Sequence, residues 1–133
     1  MDRIRSLKLR WLHGQLTELS WENITGISSP HPATWQPAIN VFRCESAYCI
    51  CVDLAGVAKD EIELLVEPGR LLIRGSRTPP HPTAEHGRAV RVLAMEIDAG
   101  RFQRELHLPP EVDLDRISAE QENGLLWIRL PIP

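Results

Sequence analysis

The chain has 133 residues, of which 43% are hydrophobic and 25% charged, and its formal net charge is −3 at pH 7. This length favours a single domain, and the balance of apolar and charged residues excludes a collagenous, disordered or disulfide-stapled chain. The mild acidity argues against binding of the nucleic-acid phosphate backbone, and no apolar run approaches the roughly 20 residues of a membrane span.

Residues 1–34 differ in character from the rest and are expected to form an N-terminal arm, partly helical or disordered. Pro30 and Pro32 mark the boundary, because proline cannot continue a helix. The arm mixes basic residues with apolar ones and lacks an obvious core of its own, so it either packs back on the domain or contacts partners and unfolded chains. The apolar positions expected to make such contacts are Leu7, Trp11, Leu12, Leu16 and Trp21.

From residue 35 to residue 133 apolar residues recur with a period of two, which predicts short strands. Pro68-Gly69 and Asn123-Gly124 predict tight turns, and Asn-Gly is the strongest two-residue hairpin signal. One polar face per strand indicates antiparallel sheets that bury one face, so the prediction is an all-β domain, an antiparallel β-sandwich. The predicted strands cover residues 47–54, 61–67, 70–75, 90–97, 102–108, a short stretch around 117, and 126–130.

The segment from Thr78 to Gly87 interrupts this order. Pro79, Pro80 and Pro82 exclude a central strand, because proline lacks the backbone N–H that a sheet requires. The segment is therefore predicted to be a long exposed loop, and the strand that it delivers can lie away from its own sandwich.

Catalytic and metal-binding patterns are weak. Cys49 and Cys51 could offer two thiolates to a metal, but their spacing places them on one strand face, where cysteine packs as a small hydrophobe. No second pair of Cys or His with ligand spacing accompanies them, so no metal is expected. The sequence also contains no phosphate-binding glycine-rich loop, no G-x-S-x-G motif and no H-E-x-x-H motif, so no cofactor and no enzymatic activity are expected. The odd count of three cysteines and the lack of an export signal predict a cytoplasmic chain with reduced thiols.

What remains is a binding scaffold with sheet edges. An edge strand can pair with a second copy, with a partner's strand, or with an unfolded chain by strand addition.

Several motifs resemble those of the small heat-shock proteins, the α-crystallin family, in its bacterial form. They follow the family's order from about Trp35 to Pro131. The sequence AEQENGLL at residues 119–126 resembles the family's A-x-x-x-N-G-V-L signature. The further matches are DLAGV at 53–57 with DEI at 60–62, LLIRGSR at 71–77, GRFQR at 100–104 and LP at 108–109.

The resemblance implies an immunoglobulin-like sandwich and an ATP-independent holdase, a chaperone that binds partly unfolded proteins and prevents their aggregation under stress. It also implies a homodimer in which a loop strand is lent to the neighbour's sheet, unless that loop folds on its own subunit. The residues of this exchange loop and strand would be His86, Gly87, Arg88, Val90 and Val92.

The resemblance further implies a hydrophobic groove between two edge strands that takes a partner's tail or client segments. Its residues would be Ile62, Leu64, Val66, Ile117 and Ala119, although Ile62 and Leu64 equally fit a plain core. Family members usually carry a C-terminal tail with an I-x-I-type motif. Here Leu130 and Ile132 have the spacing of that motif, but Leu130 fits the core of the last predicted strand and no linker separates the pair from the sandwich. A dimer or a small, arm-driven oligomer is therefore expected.

Three alternatives remain. A co-chaperone sandwich that docks on a larger ATP-driven chaperone would lack the long loop and the A-x-x-x-N-G element. A metal protein or enzyme would use the three cysteines. A membrane-surface protein would use the basic, tryptophan-bearing arm.

Overall fold

The computed structural model of the chain describes residues 2–3, 8–11, 35–88 and 91–133. Strands dominate these residues, and three short 3-10 helices lie at Lys59–Glu61, Ala84–His86 and Leu114–Arg116. The strands are β1 (Asp2–Arg3), β2 (Lys8–Trp11), β3 (Ile39–Arg43), β4 (Ala47–Asp53), β5 (Ile62–Glu67), β6 (Arg70–Arg77), β7 (Gly100–His107), β8 (Ser118–Glu122) and β9 (Leu125–Pro131).

The strands form two sheets. One sheet has the order β1-β8-β9-β4-β3 and the other the order β2-β5-β6-β7. The pairings among β3 to β9 are antiparallel, whereas β2 runs parallel to β5. The predicted antiparallel β-sandwich is confirmed, and the described residues from 35 onward contain seven strands.

The interior lies between the two sheets and follows from the alternation of the strands. On β4, Ile50 and Val52 point inward, and on β9 Leu126, Ile128 and Leu130 do the same. All are at most 2% exposed. Each fully buried aliphatic side chain of this kind contributes about 1.5–3 kcal/mol through removal of its surface from water.

The predicted Asn-Gly hairpin is confirmed. Asn123 and Gly124 have φ angles of 52° and 79°, which a two-residue turn between right-twisted strands requires. The turn places Glu122 opposite Leu125. It therefore fixes the register of β8 on β9.

One predicted strand is wrong for the single chain. Residues 91–97 form no strand, and the alternating apolar side chains of this segment are exposed. The alternation is present, but a strand also needs a neighbour with free backbone groups, and among the described residues of one chain this segment has none. The seventh strand is β3 instead. Its five residues escaped prediction because Phe42 interrupts the alternation of Ile39 and Val41.

Candidate functional site

The two strands expected to border a groove, β5 and β8, are both paired with the N-terminal arm. β2 runs along β5, with Leu9 opposite Leu64. β1 runs antiparallel along β8, with Asp2 opposite Gln121. The arm backbone therefore occupies the hydrogen-bonding edge of each strand. This matches the expectation that the arm packs back on the domain, as far as residues 2–3 and 8–11 are concerned.

Of the apolar arm residues predicted to make contacts, Trp11 ends β2 and pairs with Val66. The others, Leu7, Leu12, Leu16 and Trp21, lie outside the described residues.

The predicted groove residues lie in or against the interior cluster. Ile62, Leu64 and Val66 are at most 2% exposed, and Ile117 is buried at 7%. Ala119 is half-buried and packs against the same cluster. In this arrangement these side chains are part of the core, which is the alternative expected from the sequence for Ile62 and Leu64. The backbone edge of β5 is paired with β2. A groove that is open to clients remains a prediction.

The outer face of the second sheet carries an apolar pair that the sequence pattern did not explain. Leu65 and Leu72 lie directly opposite each other, and each is 0% exposed. Neither belongs to the interior cluster, because successive residues of a strand point to opposite faces. The signal that could have found this pair is Leu65 itself, the one position of β5 that departs from strict alternation.

Charged side chains flank this apolar pair along β5 and β6. Arg74 Nε donates to Glu63 Oε1 at 2.5 Å. On the other side, Arg70 Nε lies 3.6 Å from Glu67 Oε1 and 3.9 Å from Glu105 Oε1. Burial raises the pKa of Glu67, and the Arg70 guanidinium opposes this shift. The charges keep the outer face polar around the two leucines.

The loop between β6 and β7 is largely exposed. Of the residues predicted to form the exchange loop, His86, Gly87 and Arg88 are exposed, and Val90 lies outside the described residues. Val92 is 60% exposed. Within the loop, His86 Nδ1 accepts a hydrogen bond from the backbone N–H of Thr83 at 3.2 Å, which closes the short helix.

An apolar row follows in the same loop and was not singled out from the sequence as a site. Leu93, Met95 and Ile97 are 82%, 62% and 61% exposed. Pro79 and Pro80 face this segment across a shallow pocket. Exposure of so many large apolar side chains in one segment is characteristic of a surface that another chain covers.

A second apolar feature lies on β3, at the border of the first sheet. Val41 is 56% exposed and Phe42 45% exposed, and Phe42 stacks on Trp127 with ring centroids 6.2 Å apart. Among the described strands, β3 pairs with β4 alone. One backbone edge of β3 is thus open in this part of the chain.

Within the described ranges, no three His, Cys, Asp or Glu side chains converge as a metal site needs. No helix in the same ranges is long and apolar enough to cross a membrane.

Residues 41–133 match the Hsp20/alpha crystallin family. The chain belongs to this family. Against the 19.0 kDa class II heat shock protein of Oryza sativa subsp. japonica, it is 35% identical over 92 residues, 68% of this chain and 53% of that protein. Against the 18 kDa heat shock protein of Streptomyces albus G, it is 32% identical over 105 residues, 76% of this chain and 71% of that protein.

The fold is similar to that of solved family structures. With hspA from Xanthomonas axonopodis the TM-score is 0.63 at 31% identity, and the match covers 75% of this chain and 96% of that one. The resemblance to small heat-shock proteins of bacterial type is therefore confirmed. Members of this family are chaperones rather than enzymes, and they form oligomers and bind client proteins. The chain spans about half the length of the rice protein.

Proposed function

We propose that this protein is an ATP-independent holdase, which binds partly unfolded proteins and keeps them from aggregating under stress. The observation that carries the proposal is the pairing of β1 and β2 with the edges of β8 and β5. Strand addition at an open edge binds an extended peptide through its backbone, whatever its sequence. An edge that is covered by an arm strand becomes available to a client when that strand leaves, so this arrangement suits a chaperone with many clients.

The parts of the chain divide accordingly. Residues 1–34 form the arm and residues 35–133 the sandwich domain. Client contacts then fall on two surfaces, the arm itself and the groove between β5 and β8. The three free thiols fit a reducing compartment, and we place the protein in the cytoplasm.

The assembly that we propose is a homodimer, or a small oligomer, built by strand exchange. The loop segment at 91–97 carries exposed apolar side chains and no strand partner, and β3 carries an open edge beside Val41 and Phe42. Within the described residues, each subunit therefore offers an unpaired segment and, on β3, an unpaired backbone edge. Placing the segment of one subunit along β3 of the other satisfies both, and the relation is reciprocal, as a two-fold dimer requires.

The chaperone proposal is tested by light scattering of a heat-labile protein in the absence of ATP. We expect the full chain to suppress aggregation at a near-equimolar ratio. A second chain that lacks residues 1–34 separates the two client surfaces. If the truncated chain no longer suppresses aggregation, clients bind the arm. If it suppresses aggregation better than the full chain, clients bind the uncovered strand edges. Aggregation that proceeds unchanged with both chains contradicts the holdase.

The dimer is tested by sedimentation of Val92→Asp. A charge on the exchanged segment would be buried against β3 of the neighbour, so we expect the dissociation constant to rise at least tenfold. The matched control is His81→Asp, which places the same charge in the exposed part of the loop and should leave the dimer intact. A monomeric wild-type chain, or equal effects of the two substitutions, contradicts strand exchange through this segment.

A further inference from the structure

A pair of thiols meets at the end of the β3–β4 hairpin. Cys44 lies exposed in the turn and Cys49 is half-buried on β4. Their Sγ atoms are 3.8 Å apart. The backbone N–H of Cys44 donates to the carbonyl of Ala47 at 2.8 Å, which closes the turn and holds Cys44 beside the strand.

From this geometry we propose that Cys44 and Cys49 form an oxidation site, which closes to a reversible intramolecular disulfide when the chain meets a peroxide. A disulfide bond is about 2.0 Å long, so the two sulfurs must approach by less than about 2 Å. Cys44 belongs to a solvent-exposed turn, where its side chain is less restricted than that of a residue inside a strand.

The surroundings give the two thiols different roles. Burial and the contact with Cys44 raise the pKa of Cys49, which keeps it in the thiol form. Arg129 lies opposite Cys49 on β9, and its charge opposes this shift. The same guanidinium donates from Nη2 to Ser46 Oγ at 3.1 Å, so it also steadies the turn. The exposed Cys44 is thus the thiol that reacts with the oxidant, and Cys49 is the resolving thiol that forms the disulfide with it.

Hydrogen peroxide is the only reagent that the reaction of the two thiols requires. The thiol of Cys44 gives up its proton and its sulfur attacks one peroxide oxygen, so that the O–O bond breaks and Cys44 becomes a sulfenic acid. The hydroxide that leaves takes up the proton released by Cys44 and becomes water. The sulfur of Cys49 then attacks the sulfenic sulfur, the S–O bond breaks, and a second water leaves with the proton of Cys49. Two thiols are oxidised by two electrons, and one hydrogen peroxide is reduced to two waters.

The third cysteine provides an internal control. Cys51 lies on the same face of β4, opposite Trp127, but it is buried at 8% exposure. Burial also raises the pKa of its thiol. An oxidant in water therefore reaches Cys51 last. The proposed site depends only on the hairpin and does not require the chaperone function.

The test uses the reduced full chain, one equivalent of hydrogen peroxide, and alkylation of the remaining thiols before mass spectrometry. The tryptic peptide from residue 44 to residue 59 contains all three cysteines. We expect it to lose about 2 Da and to carry one alkyl group, on Cys51, and we expect dithiothreitol to restore three alkylation sites.

Three variants decide between this and other linkages. Cys51→Ser should lose two thiols as the wild type does, whereas Cys44→Ser and Cys49→Ser should form no intramolecular bridge. Circular dichroism confirms that each variant is folded. Three alkylated cysteines after peroxide, a bridge that includes Cys51, or a bridge between two chains through Cys44 would each overturn the proposal.

Discussion

The guanidinium carbon of Arg77 lies 4.2 Å from the centroid of the Trp35 ring. Arg77 Nη1 donates to the carbonyl of Ala55 at 3.0 Å, and Nε donates to the carbonyl of Asp98 at 2.8 Å. Trp35 Nε1 in turn donates to the carbonyl of Gly100 at 3.0 Å. One side chain at the end of β6 thus connects the first residue of the sandwich with the far end of the loop between β6 and β7.

Arg77→Ala removes these contacts together. We expect it to lower the free energy of unfolding by about 1–2 kcal/mol, since a partly exposed cation–π contact and hydrogen bonds to a charged group contribute on that scale. Urea denaturation measures the effect. The matched control is Arg91→Ala, which removes an exposed arginine from the same loop. Equal midpoints for Arg77→Ala and the wild type would show that the contacts add nothing to stability.

Gly75 lies opposite Phe102 where β6 and β7 pair. A Cβ at this position would lie 2.7 Å from Phe102 Cζ and would collide with the backbone carbonyl of Glu61. Gly75→Ala is therefore expected to destabilise the fold by about 2–3 kcal/mol, because the core and the backbone must both shift. Thermal unfolding should show a fall in Tm of about 10 °C or more. The neighbouring Ser76→Ala should stay close to the wild type, and a similarly stable Gly75→Ala would contradict the close packing.

Glu67 makes stability depend on pH. Burial raises its pKa above the ordinary 4.5. When the folded-state pKa exceeds that of the unfolded chain, the protein gains stability as the pH falls through this pKa and loses it as the pH rises. Glu67→Gln is neutral at every pH, so we expect it to be more stable than the wild type at pH 7.5, with a smaller difference at pH 5. Urea titrations at the two pH values measure this. The exposed control Glu122→Gln should leave the stability unchanged at both pH values. A Glu67→Gln chain that is less stable than the wild type at pH 7.5 contradicts the prediction.

The parallel pairing of β2 on β5 depends on backbone donors that proline lacks. Successive N–H groups of a strand point to opposite sides, so Leu9→Pro with Arg10→Pro removes a donor on whichever side faces β5. Deuterium exchange of the segment Ile62–Glu67 should then accelerate at alternate amides. The control, Leu9→Ala with Arg10→Ala, changes the same side chains but keeps both donors. Unchanged exchange in the proline variant would mean that β2 does not protect β5.

The limits of sequence-based prediction follow from where each signal lies. Asn123-Gly124 encodes its turn locally, so the hairpin follows from two residues. Leu65 meets Leu72 only because β5 and β6 pair in one register, and no local pattern states that register. The apolar residues at 91–97 are correctly recognised from the sequence. A strand also needs a second segment to pair with, and that segment can belong to another chain. The approach of Cys44 to Cys49 likewise depends on the shape of a turn.

β1 and β2 belong to one short stretch of chain, since β1 ends at Arg3 and β2 begins at Lys8. The four intervening residues reach at most about 3.5 Å each, so the two strands act as a tethered, bivalent ligand for β8 and β5. Once one strand binds, the effective concentration of the other at its site is high. When an incoming chain displaces one arm strand, the effective concentration of the other strand at its site falls and its binding weakens. Opening of the two edges is therefore expected to be coupled, because weakening of either contact also lowers the occupancy of the other.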